Sequence, residues 1–312
     1  MTNIDISIII PVYFNEASIA KTINIIKESV IKKNDELNFE IICIDDGSKD
    51  FSFTILEDLF YENRGLLKLI KFPRNFGQVN ALLAGYQKSQ GKCVINITAD
   101  LQDPPELMNE MIHEFFNNKI EIIIGTRLDR EESYFRKKTS NFFYLLIKKL
   151  SFPNMPIGGF DYALLGRKVV DVINYHKEAN VFLQGQIFWT GFSVKFIPYK
   201  RVAREFGTSK WTFGKKIKYL IDGVISYSFF PLRFMSILGL ISFFIGIIYA
   251  LIITVSYFFG NVPFKGWAPI MIILLVMFGI VFLMLGVIGE YLWRVLDQVR
   301  NRPHYLIEKE LE

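Results

Sequence analysis

Short unbroken apolar runs alternate with helical patterns through the first half of the chain, and two much longer apolar runs close it. The short runs cover residues 4–12, 39–44, 67–72, 93–98 and 120–125 and are rich in β-branched side chains. Continuous apolar runs of that length predict strands buried on both faces, as in a parallel sheet covered by helices. Between them, residues 17–32, 52–63, 78–89 and 104–118 carry apolar positions at helical spacing. Strand–helix alternation predicts a doubly wound α/β domain, and ligands of such sheets collect at the carboxyl ends of the strands. Residues 130–199 are less regular, with one helix expected over 139–150 and another after Arg167.

The C-terminal third reads differently. No charged residue lies between Arg233 and Lys265, and none between Lys265 and Glu290. Each gap exceeds the roughly 20 residues that a helix needs to cross a bilayer, which predicts spans over 234–259 and 268–292. Lys and Arg gather before the first span (Arg204, Lys210, Lys215, Lys216, Lys218, Arg233) and after the second (Arg294, Arg300, Arg302, Lys309), while the connecting loop has only Lys265. By the positive-inside rule both termini and the N-terminal domain face the cytoplasm, placing the chain in the inner membrane as a multi-pass protein. Residues 207–233 interleave Lys210, Trp211, Lys215, Lys216 and Lys218 with Phe213, Ile217, Leu220 and Ile221. One basic and one apolar face suit a helix lying in the membrane interface; an ordinary surface helix packed on the domain is the alternative. The expected organisation is therefore 1–206 α/β domain, 207–233 interface segment, 234–293 hairpin and 294–312 cytosolic tail.

Composition agrees and narrows the classes. The 312 residues are 51% hydrophobic and 21% charged, more apolar than a soluble domain at about 45–50% apolar and ~25% charged. Disorder, collagen-like repeats and a disulfide scaffold are excluded. Cys43 and Cys93 sit inside apolar runs and read as core thiols of a reducing compartment. His113, His176 and His304 are scattered, leaving little material for a histidine metal site or a Ser-His-Asp hydrolase. The net charge of +5 thickens beside the apolar segments, which favours anionic lipid and phosphate over nucleic acid. The first apolar run is too short, and lacks the basic flank, for a secretory signal.

Polar clusters fall at the strand ends. The first strand leads into Pro11-Val12-Tyr13-Phe14-Asn15-Glu16 and the second into Asp45-Asp46-Gly47-Ser48-Lys49-Asp50. Acids there can accept from a ribose hydroxyl or a base N–H, and they also make good turns and caps. The fourth strand leads into Thr98-Ala99-Asp100-Leu101-Gln102-Asp103-Pro104-Pro105-Glu106. Asp103 before two prolines, with Glu106 three residues on, reads as a helix cap. Asp100 and Gln102 alternate on what would be an extended segment and so share a side. Together they offer part of a shell for Mg²⁺ or Mn²⁺, the rest coming from water and substrate phosphates. Neither a Walker motif nor G-x-G-x-x-G is present, so metal and basic side chains must handle phosphate.

The set PVYFNE, IDDGSKD, RNFGQVNALLAGYQKSQG, TADLQDPPE and REFGTSKW resembles the family 2 glycosyltransferases of GT-A fold. More narrowly it is similar to the polyisoprenyl-phosphate glycosyltransferases, the group that contains dolichol-phosphate mannose synthase and the bactoprenol glucosyltransferases. The resemblance spans essentially the whole chain, including Arg302-Pro303 after the hairpin. It implies donor binding by Pro11, Tyr13, Glu16, Asp45, Ala99, Asp100 and Arg127, with one residue inserted near Phe14. It implies a metal at Asp100 and Gln102, phosphate reception by Arg204 and Lys210, and an acid near the reaction centre at Asp161. Two positions depart from the pattern, Thr98 for an acid and Ala163 for an arginine. The implied reaction is inverting transfer from a UDP-sugar to a polyprenyl phosphate, making a lipid-linked sugar for the cell envelope. Implied partners are membrane lipids, a second copy of the chain, a flippase and a downstream transferase that uses the lipid-linked sugar. Local readings stay open beside these: Arg127 as a strand-end arginine, Asp161 as a turn residue, Arg204 and Lys210 as lipid-headgroup contacts. Two rival functions remain, a processive polysaccharide synthase and a non-catalytic nucleotide-binding membrane subunit. The first carries Q-x-x-R-W, which Gln184-Gly185-Gln186-Ile187-Phe188-Trp189 does not supply.

Overall fold

The structure is a computed structural model and describes residues 4–128, 145, 148, 152–156, 159–176, 178–202, 225, 227–259 and 268–312. The expected strands form as β1 (Ile6–Val12), β2 (Phe39–Asp45), β3 (Leu67–Lys71), β4 (Cys93–Asn96) and β5 (Ile122–Arg127). The helices between them are α1 (Ile19–Ile26, continued by a π-turn over Lys27–Ile31), α2 (Ser52–Glu62), α3 (Gln78–Lys88) and α4 (Leu107–Asn118). Then follow β6 (Ala163–Gly166), α5 (Arg167–Tyr175), α6 (Leu183–Trp189) and β7 (Val194–Tyr199). The chain closes with α7 (Phe230–Phe258), α8 (Ala268–Arg300) and β8 (Lys309–Leu311). The helix expected over 139–150 lies outside the described residues apart from Leu145 and Lys148.

Among the described residues one eight-stranded sheet has the order β7-β5-β6-β4-β1-β2-β3-β8. The pairs β1–β2, β1–β4, β2–β3 and β5–β7 are parallel, while β6 runs antiparallel between β4 and β5, and β8 antiparallel along β3. The fold is thus α/β, with a mostly parallel sheet. Period-two alternation splits each strand between two cores. Ile8, Ile10, Ile41, Cys43 and Leu69 face α1, α2 and α4, whereas Ile9, Ile42, Ile44 and Ile70 face α3 and α5. Cys43 and Cys93 are buried free thiols, and burial pushes both upward from their ordinary pKa.

The helix α7 starts four residues before the expected span, and α8 runs eight residues past Leu292. Both have the length and apolar composition to cross a membrane, and neither span window is buried in the protein. The polar end of α8 docks on the α/β domain. Gln298 Oε1 accepts the Ala179 N–H at 2.8 Å, and Asp297 Oδ2 accepts from Asn180 Nδ2 at 3.2 Å. Beyond it, Tyr305 stacks on Phe72 with centroids 5.0 Å apart, and β8 covers the edge of β3.

Candidate active site

The register sets Val12 of β1 opposite Asp45 of β2 and Ile9 opposite Asn96 of β4, so the loops after these strands emerge side by side. They are laced by backbone donors. Phe14 N–H donates to Ser48 Oγ at 3.1 Å, Asn15 N–H to Ser52 Oγ at 2.8 Å, and Phe51 N–H to Glu16 Oε2 at 3.0 Å. Glu16 therefore ties the first loop to the second. Phe14, near which the resemblance implies one inserted residue, adopts the left-handed conformation at φ 57. At that turn the Phe14 side chain is exposed and Tyr13 N–H reaches Asn15 Oδ1 at 2.9 Å.

Asp45 is fully buried. Burial raises its carboxyl above the usual range, against the Ser48 hydrogen bonds and the Lys71 charge, which lower it. Its neighbour Asp46, equally hidden, accepts Phe76 N–H at 2.6 Å, Gly77 N–H at 2.9 Å and Asn75 Nδ2 at 2.7 Å. It thereby holds the Arg74–Gly77 loop at the start of α3. Gly47 has φ 69, and a Cβ there would lie 2.4 Å from the Arg74 backbone carbon, so only glycine lets these two loops cross.

After β4, the Ala99 carbonyl accepts from Ser18 Oγ at 2.8 Å and Thr22 Oγ1 at 3.0 Å, which pins the turn to α1. The segment beyond it is not extended. Leu101 has φ 55, and Asp100 Oδ1 accepts the Gln102 N–H at 3.4 Å, so Asp100 and Gln102 meet across a turn. Gln102 pairs reciprocally with Val202, accepting its N–H at 3.0 Å and directing Nε2 to its carbonyl at 3.5 Å. Asp100 and Gln102 are hard oxygen donors of the kind Mg²⁺ and Mn²⁺ accept. Among the described residues no three acidic, His or Cys side chains group to hold a metal. The donor chemistry thus fits a cation that takes most of its shell from substrate phosphates and water.

Asp103 corrects the expectation of a helix cap. The helix α4 starts at Leu107, and Asp103 is fully buried beneath the site. It accepts from Tyr199 Oη at 2.5 Å and Thr98 Oγ1 at 3.0 Å, and Arg201 Nε lies 3.3 Å away as an ion pair. Pro104 disfavours a helical backbone at Asp103, and α4 begins only at Leu107. At the end of β5, Arg127 Nη2 donates to Asp161 Oδ2 at 2.8 Å, so two candidates 34 positions apart meet directly. Burial works against the Arg127 charge, but Asp161, Asp103 and Tyr199 outweigh it and hold the guanidinium well above its ordinary pKa. Burial and Asp103 push the Tyr199 phenol upward, which keeps it a donor. Ala163 begins β6 inside the sheet and is buried opposite Asn96 and Ile124.

The loops at the strand ends carry Tyr13, Glu16, Asp45, Asp100, Gln102, Arg127 and Asp161, and direct contacts tie Glu16 to the second loop and Arg127 to Asp161. Arg204 and Lys210 lie outside the described residues, two and eight positions after Val202. Asp46, Asp103 and Tyr199 were missed as site residues. The signal for Asp46 was its place between Asp45 and Gly47. Tyr199 gave none, because its partner lies 96 positions away.

The family model described as Glycosyl transferase family 2 matches residues 7–173. An uncharacterized glycosyltransferase of Bacillus subtilis, YkcC, is 38% identical over 98% of this chain and 94% of its own length. A prophage-derived bactoprenol glucosyl transferase of Shigella flexneri is 34% identical over 97% of both chains. The solved mannosyltransferase PcManGT of Pyrobaculum calidifontis, in complex with GDP-Man and Mn²⁺, superposes with a TM-score of 0.50 at 16% identity, over 70% of this chain and 62% of its own. At that identity it speaks for the fold alone.

Proposed function

The chain belongs to glycosyltransferase family 2, and on that premise we propose that it moves a sugar from a UDP-sugar to a polyprenyl phosphate, with inversion, at the cytoplasmic face of the inner membrane. The observation that carries this reading is the Arg127–Asp161 pair, set at the strand ends and linked through Tyr199, Asp103 and Thr98 to Asp100, on a domain that the end of α8 docks against. A nucleotide would lie across Tyr13, Glu16, Asp45 and Ala99. A divalent cation, Mg²⁺ or Mn²⁺, would be held by Asp100 and Gln102 and would neutralise charge on the departing diphosphate. The Arg127 guanidinium, already bonded through Nη2 and Nε, would offer its remaining donors to the same diphosphate.

The acceptor's tail would stay in the bilayer while its phosphate is received by Arg204 and Lys210, which follow the Gln102–Val202 pair in sequence. A phosphate monoester has a second pKa near 6 and is largely dianionic at neutral pH, so attack on the anomeric carbon does not depend on a base. Asp161 would orient the acceptor or stabilise positive charge developing on the sugar. Rate then comes from positioning and charge stabilisation. The bactoprenol glucosyl transferase relatives, similar along nearly their whole length, support a lipid-carrier acceptor. On this reading the 1–206 domain works from the cytoplasm, residues 207–233 lie in the interface, and the product passes to a flippase and a transferase that uses it. Self-association fits the glycines of the spans, Gly239, Gly246, Gly279, Gly286 and Gly289.

The test incubates the purified full chain in detergent with UDP-glucose, UDP-galactose or UDP-N-acetylglucosamine, Mg²⁺ or Mn²⁺, and undecaprenyl phosphate. A glycolipid product is expected with at least one donor and is abolished by Asp100→Ala. Arg127→Met is expected to lower kcat by about 10²–10³-fold, as when a preorganised charge donor is removed. Absence of product with every donor rejects the proposal.

A further inference from the structure

A continuous polar chain runs beneath the strand ends from Asp161 to Asp100. Arg127 donates to Asp161 at 2.8 Å and, through Nε, to Tyr199 Oη at 3.4 Å; Tyr199 donates to Asp103 Oδ1 at 2.5 Å. Thr98 Oγ1 stands 3.0 Å from Asp103 Oδ2 and 2.8 Å from Asp100 Oδ1. Asp103 is the centre of this chain and has no exposed surface, so it touches no ligand. A carboxylate at that depth is costly unless its oxygens are partnered, and here the partners come from the exit of β4 and the end of β7. Tyr199 is itself fixed: its ring lies over Gly125 of β5, where a Cβ would come within 3.0 Å, and meets Tyr162 edge-on at 5.9 Å. Tyr162 in turn donates to the Pro104 carbonyl at 3.1 Å.

From this geometry we infer that Asp103 is a positioning residue of the transfer site. Through Thr98 it sets Asp100, and through Tyr199 and Arg127 it sets Asp161, so the donor and acceptor sides are held at one spacing. The inference rests on the assignment of Asp100 to the donor and Asp161 to the reaction centre. It also gives Thr98 a role. The hydroxyl has one proton for two carboxylate oxygens, and it joins them as a neutral link. An ionised acid at position 98 would have no proton to donate to either oxygen. In this chain position 98 is a tether and not a metal ligand.

The two arms separate experimentally in the full chain in detergent. Mn²⁺ binding is read by electron paramagnetic resonance in the presence of UDP, kcat by sugar transfer to undecaprenyl phosphate, and folding by thermal melts without metal. Thr98→Val is expected to weaken Mn²⁺–UDP binding about tenfold, the range for a residue that orients a metal ligand, and Thr98→Ser to restore it. Tyr199→Phe is expected to lower kcat about tenfold while Mn²⁺ affinity at saturating UDP holds. Asp103→Asn is expected to do both; should it fail to fold, the two near-isosteric variants decide the matter. Folded Thr98→Val and Tyr199→Phe proteins that shift only the melting temperature would overturn the inference, as would a wild-type chain that binds no Mn²⁺–UDP. If the Thr98 variants shift Mn²⁺ binding as stated but the wild type transfers no sugar, the functional reading falls and the donor-side tether stands.

Discussion

Asp46→Asn changes one buried atom and tests how the donor loops are held. Asp46 is 3% exposed and its two oxygens receive three donors: Phe76 N–H on Oδ1, and Gly77 N–H and Asn75 Nδ2 on Oδ2. Asparagine offers one oxygen and one NH₂ in the same space. If the oxygen stays toward Phe76, the NH₂ confronts Gly77, and a flip of the Asn75 amide can relieve only its own contact. If the oxygen turns toward Gly77, the Phe76 N–H is orphaned. Either way one backbone donor loses a charged acceptor, a bond of about 1.5–3 kcal/mol. For a domain of this size 1 kcal/mol is about 2–4 °C in Tm, so a fall of roughly 3–12 °C is expected. Differential scanning fluorimetry of the full chain in detergent measures it. The Arg74–Gly77 loop borders Asp45 through Gly47, so UDP affinity should fall in parallel. A variant melting within about 1 °C of wild type would show that these donors find other acceptors at no net loss.

Asp45→Asn should act in the opposite sense on stability. Burial lifts the Asp45 carboxyl above its ordinary 3.8, so between 3.8 and the raised value the folded chain holds a proton that the unfolded chain has lost. Stability falls as pH rises through that window, and the cost persists at neutral pH. The asparagine variant is therefore expected to melt above wild type at pH 7, with the gap closing as pH falls through the window. A gap independent of pH would refute the assignment, and UDP affinity should drop in the same variant. Tyr305→Ala removes the stack on the buried Phe72, about 0.5–1.5 kcal/mol beyond the buried area. It should speed tryptic cleavage at Lys309 and amide exchange in Leu69–Lys71, and an unchanged cleavage rate would mean that β8 holds the β3 edge without it.

By itself the sequence determined the strand–helix alternation, the two long apolar helices and the strand-end acids. Those properties are written in local periodicity and in the length of uncharged runs. The first five strands and four helices stand within a few residues of where the pattern set them. Less was legible where partners are distant. The antiparallel β6 between β4 and β5, and the return of β8 to β3, are pairings that no short window of residues contains. Arg127 and Asp161 are both legible as candidates, but only the insertion of β6 brings Asp161 to the end of β5. Asp103 misled for a related reason. Its local context, two prolines and a glutamate, is that of a cap, and its actual partners Tyr199 and Arg201 arrive from the end of β7 and just past it, almost a hundred residues away. Local chemistry names the residues that can react, while burial and long-range hydrogen bonding decide which of them face the site and which hold it in place.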